Sequence, residues 1–187
     1  MQKTSERITH ERVEERLIII HFLSYKNITE KSDFTQRYPD CVIPAASVAI
    51  EETSVRNYEV ARTHHLINRV DEKQAELLLK YDDQRNDGIL IDKIKKAIRK
   101  KEKKGHYSEL LKYEQRILIV RVNGICFDWR WLKQIAQRSN FSDLELRIFN
   151  AVYLVLAPIT PTRNDIDNNK IPPLEPNFIQ IIGSDES

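Results

Sequence analysis

Three kinds of apolar spacing alternate along the chain, and each predicts a different element. Near the start, Ile8, Val13, Leu17, Ile20 and Leu23 recur at close to helical intervals behind Thr4 and Ser5. Either of those can cap a helix running to about Ser24. A polar connector, Tyr25 to Gln36, leads to two short β-branched runs, Val42 to Pro44 and Val48 to Ile50. They are joined by Pro-Ala-Ala-Ser and predict a pair of antiparallel strands. Beyond Thr53 the spacing turns helical again. Val60, Leu66, Ile67, Val70, Ala75, Leu78 and Leu79 predict two helices, or one kinked near Asn68–Asp71, over Asn57 to Lys80. Tyr81 to Gly88 (YDDQRNDG) predicts a turn-rich break. Ile89 to Lys104 predicts a further helix with Ile91, Ile94 and Ile98 on one face and Lys101 next on that stripe, stopped by Gly105.

The last third reads differently. Arg116 to Val122 is nearly continuous and apolar, as a strand covered on both faces should be. Phe127 to Ser139, with Trp129, Trp131, Leu132 and Ile135, predicts a short covering helix, and Phe149 to Ala157 a second buried strand closed by Pro158. Strand, helix, strand implies a crossover and a parallel pair. Thr160 to Glu175 reads as a loop or extended arm, Phe178 to Ile182 as an added edge strand, and Gly183 to Ser187 as a frayed end. The fold class expected is therefore α/β, a mixed central sheet flanked by helices in the order helix, hairpin, helices, strand, helix, strand. Residues 1–157 form the core and 158–187 a Pro/Asn-rich extension.

Composition narrows the functional classes. A chain of 187 residues suits one domain with a real core. With 31% charged residues the surface is wet, and only 4 glycines argue against a loop-rich all-β fold. No apolar run reaches the length of a membrane span, and MQKTSER lacks a signal-peptide core, so a cytoplasmic location is expected. Cys41 and Cys126 lack metal-site spacing and read as buried free thiols. His64 and His65 are adjacent, so on a helix they diverge by about 100° and do not share one ion. The acids of Tyr81 to Gly88 do not follow the alternate-position pattern of a calcium loop. Walker-type, Gly-x-Ser-x-Gly, zinc and dinucleotide patterns are all missing from the sequence.

The chemistry converges on the hairpin. Asp40 precedes its first strand; Glu51, Glu52 and Thr53 follow its second. Alternation puts Ala49, Glu51 and Thr53 on one face and Val48, Ile50 and Glu52 on the other, and pairing brings Asp40 and Glu51 to the same end. Two converging carboxylates suit a hard divalent cation such as Mg²⁺, bound through oxygen and water. Ordinary solvated strand-end acids have the same sequence appearance.

This arrangement resembles the PD-(D/E)XK nuclease superfamily, the restriction-endonuclease-like fold. Its pattern is Pro-Asp, a hairpin, then an acid, an apolar residue and a lysine. Pro39-Asp40 stands for the first half and Glu51-Glu52-Thr53 for the second. Thr53 departs from the motif lysine. Glu52 departs from the apolar residue and leaves open which acid points inward. The resemblance covers about residues 5 to 157. It implies a Mg²⁺- or Mn²⁺-dependent nuclease, an endo- or exodeoxyribonuclease, with Asp40 and Glu51 as metal ligands and catalytic groups. A glutamate of the first helix, Glu11 or Glu15, would assist the metal, and Thr53 would at most position a water. Some relatives supply the lysine from a neighbouring helix, which makes Lys101 the candidate, because its stripe points it at the sheet. Many relatives act as dimers, so a homodimer is among the expectations.

Lys93, Lys95, Lys96, Arg99, Lys100, Lys103 and Lys104 make the same helix densely basic, which suits a polyanion held through its phosphates. Lys96, Arg99, Lys100, Lys103 and Lys104 are the candidate nucleic-acid contacts, DNA being the superfamily's usual substrate. The competing expectation is an inactive scaffold of the same fold that binds nucleic acid or a protein partner. A third is a partner-binding protein whose basic helix meets an acidic surface; membrane insertion does not fit a helix whose apolar face serves the core.

Overall fold

Arg116 to Val122 lies inside the fourth strand of a six-stranded sheet, and everything else is arranged around it. A computed structural model describes residues 2–35, 38–56, 72–103, 107–123, 129–157 and 177–183. Side chains are described for 13–35, 38–55, 87–103, 108–122, 130–156 and 177–183. Helix α1 is Gln2–Tyr25, followed by strands β1 (Asp33–Phe34), β2 (Cys41–Ile43) and β3 (Val48–Arg56). Then come helices α2 (Glu72–Glu102) and α3 (Tyr107–Leu110), strand β4 (Gln115–Asn123), helix α4 (Trp129–Arg138) and strands β5 (Ala151–Ala157) and β6 (Phe178–Ile182). In space the strands follow chain order, β1 to β6. β1–β2, β2–β3 and β5–β6 are antiparallel, whereas β3–β4 and β4–β5 are parallel. The α/β class, the hairpin, the parallel strand–helix–strand unit and the edge strand at 178–182 are as the spacing predicts.

The alternation of the strands separates two cores. One face of the sheet carries Ala49, Val55, Leu118, Val120, Val122, Val152 and Leu154, and meets Leu90, Ile94 and Ile98 of α2 and Leu132 and Ile135 of α4. The other carries Cys41, Ile43, Val48, Ile50, Ile117, Ile119, Tyr153 and Val155, covered by Ile18, Ile19, Phe22 and Leu23 of α1. Phe22 is fully buried, edge-on to Tyr153 and Phe178 with ring centroids 4.8 and 5.1 Å away. Side chains of this size contribute about 1.5–3 kcal/mol each through burial.

Four expectations need correction. The apolar stripe of α1 is out of phase: Val13, Leu17 and Ile20 are each 50% exposed, and Ile18, Ile19, Phe22 and Leu23 face the sheet. The run Leu17-Ile18-Ile19-Ile20 supports either phase by periodicity, and the aromatic anchor at Phe22 decides between them. Second, β3 does not give way to helix at Thr53. It pairs with β4 through Arg56, because a ladder beside a buried strand satisfies backbone groups that would otherwise be left unpaired. Third, Tyr81 to Gly88 is no break, since α2 runs unbroken for 31 residues. A helical glycine costs about 1 kcal/mol relative to alanine, and the burial of Leu90, Ile94 and Ile98 outweighs it. Fourth, the connector from Tyr25 to Gln36 contains β1. The expected helix at 57–71, His64 and His65, Gly105, Cys126 and the arm at 160–175 lie outside the described residues.

Candidate functional site

β2 is short, and that shortness creates the site. Its last pair with β3 is Cys41 with Ile50. Beyond it, the Glu52 backbone amide and carbonyl have no strand on that side, so other groups must satisfy them. Two side chains do so. Asp40 Oδ2 accepts from the Glu52 N–H at 2.7 Å, and Lys101 Nζ donates to the Glu52 carbonyl at 2.8 Å. Lys101 arrives there because it continues the Ile94–Ile98 stripe at the end of α2, where that helix crosses the sheet.

Lys101 also forms a short charge-assisted hydrogen bond to Glu51 Oε1. Glu51 is 3% exposed and lies on the α2 side of β3; its other oxygen, Oε2, is buried without a donor among the described residues. The Asp40 carboxyl lies near enough to raise the pKa of Glu51 and of Glu15 on α1. Neighbouring carboxylates repel when both are ionised, which favours a proton or a cation beside them. Among the described residues, Lys101 bonds Glu51 directly, and Asp40 and Glu15 lie within electrostatic range of Glu51.

Protonation registers the imbalance. Burial, and then the neighbouring Asp40, push Glu51 up to about 8 against the pull of Lys101. Burial and the nearby Asp40 likewise push Glu15 up to about 8.

Glu52 points to the α1 side and is satisfied differently. Arg121 of β4 donates from Nε to Glu52 Oε1 at 2.7 Å and from a terminal nitrogen to Glu14 of α1. Burial raises the Glu52 pKa and Arg121 opposes the rise. The sequence leaves open which of Glu51 and Glu52 points inward. Both are buried, on opposite faces of one strand.

The remaining candidates are placed as follows. Thr53 is half-buried on the Glu51 face and pairs with Val120 in the sheet. Lys96, Arg99 and Lys100 are exposed along α2 and Lys103 just past its end, Arg99 lying 3.9 Å from Asp143. The side chains of Glu11 and Lys104 lie outside the described residues. Arg121 and Glu14 escaped the sequence reading, because an arginine inside R-I-L-I-V-R-V looks like strand punctuation. Its one signal was a charge in the middle of a strand expected to be buried on both faces.

Among the described residues, no group of three or more His, Cys, Asp or Glu forms a ready-made metal cage. Glu51, whose Oε2 is buried without a partner among the described residues, and the nearby Asp40 make an all-oxygen, two-carboxylate set. That set fits Mg²⁺, which binds through one or two carboxylates, water and substrate phosphate rather than through a full protein cage. No helix among the described residues is long and apolar enough to cross a membrane. Comparison of the chain with protein-family models, curated proteins and solved structures found no match.

Proposed function

We propose that the protein is a divalent-metal-dependent phosphodiesterase acting on nucleic acid, with a divergent restriction-endonuclease-like core of the PD-(D/E)XK type. The observation that carries this reading is the meeting of Lys101, Glu51 and Asp40 around Glu52. A lysine from a distant helix reaches the acid of the motif, whose second oxygen is buried without a partner among the described residues, with Asp40 nearby. Asp40 and Glu51 hold Mg²⁺ or Mn²⁺, with Glu15 alongside. A hard divalent cation there supplies Lewis-acid stabilisation of a phosphoryl oxygen and lowers the pKa of water.

The chain's own groups do the rest. The Lys101 ammonium, anchored on Glu51 and the Glu52 carbonyl, offsets negative charge growing on the phosphate and orients the attacking water. The Glu52 N–H fixes the Asp40 carboxylate, so the two acids keep their spacing before substrate arrives. Lys96 and Lys100 line the outward side of α2 about 6 Å apart, at 1.5 Å per residue, and with Lys103 just past the helix end hold a phosphate backbone through charge without reading sequence. DNA is the substrate the resemblance favours.

A second reading keeps the fold and removes the chemistry. It is supported by the Lys101–Glu51 ion pair, which resembles a purely structural pair, and by Thr53 at the motif's lysine position. Calorimetric titration of Mn²⁺ into the wild type and Asp40→Ala, with cleavage of mixed DNA and RNA, separates the two. The expected result is metal uptake and cleavage in the wild type, both lost in Asp40→Ala. Lys101→Met should retain metal uptake and lose on the order of 10²–10³ in rate, the scale of removing one preorganised charge-stabilising group. Nucleic-acid binding with no metal dependence would establish the inactive scaffold instead.

A further inference from the structure

Glu52 is bonded to both groups that the proposed reaction needs, and it reaches them through its backbone: its N–H donates to Asp40 and its carbonyl accepts from Lys101. Its side chain is committed on the opposite face of the sheet. There Arg121, with a side chain 4% exposed, forks between Glu52 and Glu14 and so ties β3 and β4 to α1. One residue further along α1, Glu15 lies within electrostatic range of Asp40. A strand residue whose side chain is held by a two-pronged guanidinium cannot twist about its Cα without breaking charge-assisted bonds. Twisting is the motion that would swing the Glu52 N–H and carbonyl away from Asp40 and Lys101. Past Cys41, β2 no longer supplies the pairing that would otherwise resist it.

We propose that Glu14, Arg121 and Glu52 form a positioning lock on the α1 side of the sheet that holds Asp40 and Lys101 in register on the other. Arg121 and Glu52 are positioning residues, acting through the peptide groups of β3. The proposal rests on the assignment of Asp40 and Lys101 to the reacting site. The lock also makes that site depend on the docking of α1, because Glu14 closes one prong and Glu15 belongs to the carboxyl cluster.

The test uses Glu52→Gln combined with Arg121→Met in the full chain. This replacement removes both charges and conserves volume, so folding should be retained, as when buried ion pairs are replaced by packed neutral groups. Two quantities are read: native-state hydrogen exchange of the residue-52 amide relative to those of Ile50 and Ile119, and Mn²⁺ affinity. The lock requires selective loss of protection at residue 52, about tenfold or more, and metal affinity lower by about 10–100-fold, the usual effect of losing a ligand's supporting partner.

Unchanged relative protection at residue 52 overturns the lock, whatever the wild type does with Mn²⁺. Lost protection in a protein whose wild type takes up no Mn²⁺ keeps the lock and overturns the metal-dependent reading. Glu14→Gln, at the half-exposed end, leaves the Glu52–Arg121 pair intact and serves if the double variant fails to fold. It must lower residue-52 protection in the same direction by a smaller factor, and no change there overturns the proposal.

Discussion

Glu51 and Glu52 are chain neighbours, chemically identical and equally buried, yet the structure treats them in opposite ways. Glu52 meets a guanidinium shaped to its carboxylate and shared with Glu14. Glu51 has an ammonium on one oxygen, no partner on the other among the described residues, and Asp40 near enough to raise its pKa. Alternation along a strand accounts for the separation: one residue's step moves the carboxyl from the α1 side to the α2 side. Residues that serve only the fold end with their valences closed, since a buried unsatisfied polar atom costs about 1–3 kcal/mol. An open valence near a second carboxylate is what the proposed cation would close.

The largest expected effect comes from removing the ammonium. Lys101→Met strands Glu51 in the core, and breaking a buried pair from one side costs about 3–5 kcal/mol, read as a shift of the urea midpoint at pH 8. The loss should shrink on acidification, and the sign follows from linkage. Glu51 and Glu15 titrate near 8 in the fold against an ordinary 4.5. Between those values the native state holds protons that the unfolded chain has released. The cluster's contribution to stability is therefore greatest at and below about 4.5 and declines as pH rises toward 8. Wild type should lose stability over that window in chelator, and Mn²⁺ should recover more of it at pH 8 than at pH 5. A Lys101→Met penalty independent of pH would mean that Glu51 does not titrate as its burial demands.

The next effect tests the two glutamates against each other. Glu52→Gln weakens the charge-assisted bond to Arg121 and leaves a buried guanidinium short of an anion, which should cost about 1–3 kcal/mol. Glu51→Gln leaves Lys101 an amide oxygen and removes the repulsion between Glu51 and Asp40, so it should cost less than Glu52→Gln at pH 8 while abolishing metal uptake. Equal destabilisation by both, measured by denaturant unfolding, would erase the distinction between a closed and an open carboxylate.

Much of this arrangement was legible in the chain. Alternation after the Pro-Ala-Ala-Ser turn separated Glu51 from Glu52, and the i, i+4, i+7 spacing of Ile94, Ile98 and Lys101 aimed the lysine at the sheet. Both are local periodicities that depend on no partner. Arg121 and Glu14 were not legible in the same way, because their meaning is set by pairing across 107 residues of sequence. The register of β3 against β4 places Glu52 opposite Ile119 and two residues from Arg121, and no local pattern specifies that register. The continuous course of α2 through YDDQRNDG was hidden for a different reason. Turn-forming residues carry a local preference of under about 1 kcal/mol each, and the packing of the helix beyond them overrides it.

The smallest expected effect concerns α1, whose phase decides whether Glu14 and Glu15 reach the sheet at all. Periodicity alone places Val13, Leu17 and Ile20 inward; the structure exposes them by half and buries Ile18, Ile19 and Phe22. Turning the helix to bury the first set would carry Glu15 away from Asp40 and Glu14 away from Arg121, so the phase and the site stand together. Leu17→Gln should change stability by no more than about 0.5 kcal/mol, as surface substitutions do, and leave Mn²⁺ uptake intact. Phe22→Ala should cost about 3–5 kcal/mol through the cavity it leaves. Chemical denaturation of the two variants side by side measures the difference. A larger loss from Leu17→Gln than from Phe22→Ala would rotate α1 by nearly half a turn and withdraw Glu14 and Glu15 from the carboxylates of the sheet.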